Sequence, residues 1–321
     1  MKNLILTLAT IALMAWPAQA LAAGTHGDVN HDGATDITDV TDLIDYLLNP
    51  DADGVQSFAG DVNCDGIVDI NDVTALIDVL LGLPVSPSQR VTINANGVEF
   101  TMVLVKGGTF TMGATEEQLE FARRNEYPAH EVTLWSYYIG QTEVTQALWL
   151  AVMGENPSCA NDNLNCPVDN VSLFDCAKFV DRLTELTGYI FRMPTEAEWE
   201  FAARGGNLSR HFVYAGSNDV SQVAWYDEVS GVKTHPVALL QPNELGLYDM
   251  SGNVCEWCQD WYVLYDDAPQ INPVGPESGT DNVYRGGSWC HSPVGCRVSS
   301  RYDLDPHEKA ANLGLRIVMN Y

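Results

Sequence analysis

Two short stretches near the start of the chain carry one helical pattern twice. Val40, Leu43, Ile44, Leu47 and Leu48 fall on one face at helical spacing, and Val73, Leu76, Ile77, Leu80 and Leu81 repeat it 33 residues later. Neither stretch is long enough to bury its stripe alone, so the two helices are expected to pack on each other. Beyond residue 98 no period runs for long. Brief strands are expected at MVLV (102–105), EVTLWSYYI (131–139) and RIVM (316–319). Helices announce themselves by capping boxes: Ser172 with Asp175 opens one that Gly188 ends, and Thr195 with Glu198 opens another that Gly205 and Gly206 close. A third is expected from Thr145 to Met153. Short elements between long loops predict an α+β fold class, with a small all-α domain ahead of a larger mixed one.

The first residues have a different character. Lys2 precedes an apolar run of 13 residues (4–16), too short for the ~20 helical residues that span a bilayer. Small residues follow, and Ala18-Gln19-Ala20 or Ala20-Leu21-Ala22 fits an A-x-A cleavage site. Residues 1–22 therefore read as a signal peptide and the chain as exported, with no membrane span expected in the remainder. All eight cysteines (64, 159, 166, 176, 255, 258, 290 and 296) lie in the exported part, where disulfides persist.

Composition adds a partner class and removes another. Sixteen basic residues against 43 acidic ones give a net charge of −27, which excludes a nucleic-acid backbone as the partner and favours cations. The acid is concentrated: residues 23–83 hold 13 Asp and no Glu, Lys or Arg. Around each repeat the oxygen-bearing residues stand in the register of an EF-hand-type loop, positions 1, 3, 5, 9 and 12, with glycine at 6 and a carbonyl at 7. The first loop supplies Asp28, Asn30, Asp32, Ala34 (carbonyl), Asp36 and Asp39 around Gly33; the second supplies Asp61, Asn63, Asp65, Ile67 (carbonyl), Asp69 and Asp72 around Gly66. Four carboxylates in one such loop repel unless a divalent ion sits between them, so two Ca²⁺ are expected here, required for folding.

Loop, helix, repeat and Asp at position 12 together resemble a type I dockerin, over residues 27–82. The resemblance implies calcium-dependent binding to a cohesin module of a scaffoldin, and so an extracellular or cell-surface assembly. In that family loop positions 10 and 11 read the partner; here they are Ile37 and Thr38, and Ile70 and Asn71. LPVSPSQR (83–90) is rich in proline and serine and reads as linker, placing the divisions at 1–22, 23–83, 84–97 and 98–321.

The last segment carries GGTFTMG (107–113), YIGQTEVTQALW (138–149), RMPTEAEWEFAARGG (192–206), GLYDMSGNVCEW (246–257), YRGGSW (284–289) and NLGLR (312–316), in that order. It resembles a formylglycine-generating enzyme / sulfatase-modifying factor domain, which implies a variant C-type-lectin-like fold with much irregular loop. The authentic enzymes oxidise a sulfatase cysteine to formylglycine with O₂ and a Cu(I) held by two thiolates, a C-x₄-C just after GGS. Here Gly286-Gly287-Ser288 is followed by Cys290 and Cys296, a C-x₅-C. The candidate catalytic residues are accordingly Cys290, Cys296 and Ser288. Disulfide pairing is the other reading, Cys258 with Cys296, Cys255 with Cys290, and Cys159 with Cys166. No His/Asp pair flanks Ser288 in the sequence for nucleophilic catalysis. The family also implies one calcium, on Asp249, Gly252, Val254 and Glu256; a hydrogen-bonded pair of core carboxylates is the alternative. His291, Ser292, Arg301 and Tyr302 are candidates to line the family's ligand groove.

The function expected from these readings is a dockerin-bearing, sulfatase-modifying-factor-like protein that acts on a sulfatase peptide. A non-catalytic, lectin-like module binding a glycan, within a polysaccharide-degrading (catabolic) complex, stands as the alternative.

Overall fold

The computed structural model describes residues 27–30, 32–48, 60, 62, 68, 70–81, 89–160 and 162–320. The chain divides into two compact units, Met1–Ser86 and Pro87–Tyr321. Residues 1–22, expected to be a signal peptide, and the second-loop residues Asp61, Asn63, Asp65, Ile67 and Asp69 lie outside the described residues, as does the side chain of Asn71.

In the first unit, helices α1 (Ile37–Leu48) and α2 (Ile70–Leu80) start at the two expected positions. Val40, Leu43, Val73 and Leu76 are buried together with Val29 and Val62. The buried stripe is narrower than its spacing suggests. Ile44 and Ile77 stay 37% and 39% exposed, and Leu48 and Leu81 72% and 68%. Two helices of three turns cover one line of each other and leave the flank of each stripe to solvent.

In the second unit a five-stranded sheet runs β1 (Arg90–Ala95), β2 (Val98–Val105), β5 (Tyr137–Gly140), β14 (Val318–Asn320), β6 (Phe191–Arg192), antiparallel throughout. β1 occupies residues that composition alone assigns to the linker; Asn96 and Gly97, both at positive φ, turn it back onto β2. EVTLWSYYI is not one strand but two. Its first half, β4 (His130–Leu134), sits between β10 (Gln270–Ile271) and β3 (Gly108–Met112), and its second half is β5. A four-stranded sheet orders β12 (Arg301–Leu304), β11 (Asn282–Arg285), β9 (Cys255–Trp261) and β13 (Leu313–Gly314). Ala224–Trp225 and Ser251–Gly252 form a short parallel pair, β7 and β8.

Strand alternation distributes the core. Met102 and Leu104 of β2 join one apolar cluster, with Trp149, Phe179, Trp257 and Leu315, while Val103 and Val105 join a second, with Trp199, Phe201 and Met250. The sheet is thus buried on both faces. Helices α3 (Gln146–Met153) and α4 (Leu173–Thr187) pack on the first side, where Trp149 stacks on Phe179 at 4.9 Å. Both capping boxes form: Ser172 accepts from Asp175 N, Thr195 accepts from Glu198 N, and Gly188 ends α4 in the left-handed conformation.

Helix α5 (Glu196–Ala203) is buried on every side, its glutamates included. Each of them has arginine partners: Glu196 pairs with Arg301 at 2.6 Å, Glu198 with Arg192 at 2.6 Å, and Glu200 with Arg204 and Arg285. The same guanidinium groups also donate to backbone carbonyls, Arg204 to Gly113, Arg285 to Val298 and Arg301 to Val263. Arg301, a candidate for the ligand groove, is instead locked on Glu196 and 1% exposed.

Candidate functional site

In the first loop of the small unit the acidic side chains close turns on the backbone. Asp28 accepts from the amides of Asp32 and Gly33, both at 3.1 Å. Asp39, fully buried, accepts from Val29 N at 2.7 Å and Asp36 N at 2.8 Å. The Thr38 hydroxyl donates to Asp36 at 2.6 Å, which holds the Asp36 carboxyl below its usual range. These are hard oxygen donors on a tight loop with no basic side chain described in it, a set that suits Ca²⁺ by its chemistry. Among the described residues, however, no three His, Cys, Asp or Glu side chains converge closely enough to hold a metal. Ile37 and Ile70, equivalent in the two repeats, are each 65% exposed.

In the large unit, the turn after β11 gathers three thiols around one serine. Gly286 and Gly287 sit at φ +92° and +68°, and a Cβ on Gly287 would lie 2.8 Å from Cys296 Sγ and 2.7 Å from Gly295 O. Only glycine lets the chain pass so close to Cys296. The next residue, Ser288, is fully buried and faces three sulfurs. Its backbone N–H is directed at Cys296, its hydroxyl lies 3.4 Å from Cys290 Sγ, and its side chain also faces Cys255 on β9. The same hydroxyl is 2.7 Å from His291 Nδ1 and accepts from Asn312 Nδ2 at 2.9 Å. A histidine therefore does flank Ser288, brought there by the turn. Tyr302 stacks on Tyr284 at 5.2 Å and lies beside the His291 ring, with Arg123 over its other side.

The thiols differ in setting. Cys290 is exposed, while Cys255 and Cys296 are buried. Burial pushes Cys296 up to about 12 and Cys255 well above the ordinary thiol value. Desolvation, with Arg123 next, lowers His291 below the ordinary imidazole value. All seven described cysteines are free thiols. Cys258 does not meet Cys296. It packs in the second core cluster, on the opposite face of β9 from Cys255, whereas Cys296 packs with Ala224 and Tyr226. Residues three apart on a strand cannot face the same way. Cys255, Ser288 and Asn312 come together from β9, from the turn after β11 and from the loop before β13, so their meeting has no local sequence signal.

The second candidate site lies around Glu256. Arg316 donates to both carboxylate oxygens, at 2.7 to 3.0 Å, and Trp199 Nε1 donates to Oε2 at 2.6 Å. Asp249 accepts from Ala238 N at 2.8 Å. A third carboxylate, Glu143, accepts from Asn253 Nδ2 at 2.8 Å and Val254 N at 3.0 Å, clamping the loop between Gly252 and Glu256; no local motif points to it. Burial raises Glu143 well above the carboxylate range and Asp249 to about 6. Three buried carboxylates thus face one guanidinium, with Asp249, Gly252 and Asn253 all at positive φ. Oxygen donors of this kind suit a divalent cation by their chemistry, although both oxygens of Glu256 already accept hydrogen bonds.

The chain matches two family models. Residues 89–321 match the sulfatase-modifying factor enzyme 1-like domain, and residues 26–81 match the dockerin type I domain. A chaperone protein LppX of Paenibacillus barcinonensis is 32% identical over 269 residues, covering 68% of this chain and 88% of that one. The formylglycine-generating enzyme of Mus musculus is 29% identical over 291 residues, covering 68% and 75%. Among solved structures, Treponema denticola variable protein 1 superposes with a TM-score of 0.66 at 33% identity, covering 73% of this chain and all (100%) of that one. No helix among the described residues is long and apolar enough to cross a membrane.

Proposed function

The chain belongs to the sulfatase-modifying factor enzyme 1-like family and carries a type I dockerin domain ahead of that domain, and from this premise we propose that it is an exported, scaffold-attached oxidase directed at a sulfatase cysteine. The observation that carries the reading is the convergence of Cys290 and Cys296 on Ser288, with Cys290 open to solvent. Soft sulfur donors suit Cu(I), and these two would hold it. Copper bound there supplies the O₂ and one-electron chemistry that side chains lack. The chain's own part is orientation and proton handling. The Ser288 N–H and hydroxyl fix the two sulfurs, Asn312 holds that hydroxyl, and His291 Nδ1 stands ready to accept a proton through it. The stacked tyrosine pair packs beside the His291 ring.

The dockerin supplies the address. Ca²⁺ in both loops, on the residues that the repeat sets in register, would order a surface that binds a cohesin module. The apolar row of Ile37, Ile44 and Leu48, repeated as Ile70, Ile77 and Leu81 and left to solvent on both helices, supports such docking. A third Ca²⁺ belongs at Asp249, the carbonyls of Gly252 and Val254, and Glu256, with Glu143 holding the loop. The divisions 1–22, 23–83 and a catalytic domain beginning near residue 89 complete the reading.

The test is an anaerobic Cu(I) titration against a chromophoric chelator, followed by incubation with an unfolded cysteine-containing sulfatase peptide in air. One copper per chain, lost in Cys290→Ala, and an aldehyde on the peptide are expected. Copper-loaded protein that leaves the peptide cysteine intact overturns the oxidase reading and leaves a ligand-binding module.

A further inference from the structure

The cluster holds one thiol more than a two-thiolate copper site uses. Cys255 stands on β9 with its neighbours Trp257 and Leu313 in the core, fully shielded from solvent. Its sulfur and that of Cys290 face the same Ser288 side chain, whereas Cys296 takes the Ser288 backbone N–H. Asn312 Nδ2 reaches both the Ser288 hydroxyl, at 2.9 Å, and Cys290 Sγ, at 3.4 Å. One thiol of the pair is exposed and the other is buried, near enough for the Cys290 charge to act on it. That is the arrangement of an attacking thiol backed by a resolving one.

We infer that Cys255 and Cys290 form a redox-active dithiol, a site at which a small-molecule disulfide is reduced while the two cysteines close on each other. The dithiol shares the site of the proposed oxidase, but it needs neither copper nor a sulfatase. The Cys290 thiolate attacks one sulfur of the small disulfide; a Cys290 mixed disulfide forms and one small thiolate leaves, to be protonated by water. Cys255 then attacks Cys290 Sγ. The Cys255 proton passes to the Ser288 hydroxyl as that hydroxyl donates to His291 Nδ1, 2.7 Å away; the second small thiolate departs and takes a proton from water, and the imidazolium returns its proton to water. Two protein thiols lose two electrons and two protons, and one disulfide becomes two thiols. Closing the pair removes Cys290 from copper, so the oxidation state of the pair sets whether the cluster can hold the metal.

The net charge of −27 disfavours anionic disulfides, so the probe is neutral 2-hydroxyethyl disulfide on the full-length reduced protein. Alkylation under acid quench and peptide mapping without reductant read the outcome. Wild type should give a Cys255–Cys290 cross-linked peptide and little adduct. Cys255→Ser should trap the hydroxyethylthio adduct on Cys290 at least tenfold more. A stable Cys290 adduct in wild type, or a Cys290–Cys296 cross-link, overturns the inference, and the wild-type map decides even if the variant fails to fold. Copper uptake by reduced Cys255→Ser is measured in parallel. Trapping without copper uptake condemns the oxidase reading alone, and copper uptake without a wild-type cross-link condemns the dithiol alone.

Discussion

Arg316 Nη2 lies 2.7 Å from Glu256 Oε1, with both side chains out of solvent. The same guanidinium donates to the carbonyls of Gly140 and Tyr248, so it ties β5, the Asp249 loop and β9 at one point. Arg316→Leu leaves Glu256, Asp249 and Glu143 buried without a cation. The expected cost is about 3–5 kcal/mol, the usual penalty for breaking a buried pair from one side. Urea unfolding at pH 7 checks it, and added Ca²⁺ should recover part of the loss. A loss below about 1 kcal/mol would mean that the carboxylates have another counter-charge.

Chelation should act on the small unit first. Asp28 and Asp39 of its first loop are buried, and the described partners of their carboxylates are backbone amides. EDTA is expected to open residues 23–83 to proteolysis while the large unit stays resistant, and Asp39→Ala should do so in calcium. Equal resistance with and without EDTA would refute calcium-dependent folding.

Asp260 supplies the pH dependence. Its Oδ2 accepts from Glu196 N at 2.8 Å, and burial first, then the neighbouring Glu196 charge, pushes its carboxyl up to about 8. A raised folded pKa stabilises below the unfolded value near 3.8, and that contribution is lost as pH rises toward 8. Wild type should therefore lose stability relative to Asp260→Asn between pH 5 and 8, over roughly the span of the shift. Parallel stability curves for the two proteins would show that Asp260 is ionised throughout.

At the dockerin surface, Ile37 and Ile70 protrude from the two loop ends. Burying either against a cohesin is worth about 1–2 kcal/mol. Ile37→Asp with Ile70→Asp should weaken binding roughly a hundredfold or more, with α-helix content unchanged. Calorimetry in calcium reads it; an unchanged Kd would move the contact elsewhere.

Local rules reveal the helices and stop at the thiol cluster. Ser172, Thr195 and Gly188 mark element ends through hydrogen bonds to residues three or four away, and such signals survive in a single sequence. The turns of 28–39, closed by Asp28 and Asp39 on nearby backbone amides, are legible for the same reason. The strand pattern misleads where a turn interrupts it: Trp135, 75% exposed, is the step between β4 and β5 and reads as one more apolar residue. Pairing Cys258 with Cys296 fails because side-chain direction along β9 depends on the strand phase, which a seven-residue run of mixed character does not reveal. The pairing of Ser288 with His291 is made by the turn between them, in which Ser288 O accepts from His291 N, and Glu143 meets Val254 only across 111 residues of chain.

Five arginines, at 204, 285, 297, 301 and 316, are interred beside carboxylates in the large unit. Each is matched there by a buried carboxylate, so these charges cancel within the interior and the net charge of −27 is left to the remaining side chains. Copies lined up along a common support would push one another apart, the more strongly the more dilute the electrolyte, and polyanionic polymers would be turned away unless divalent ions bridge the gap.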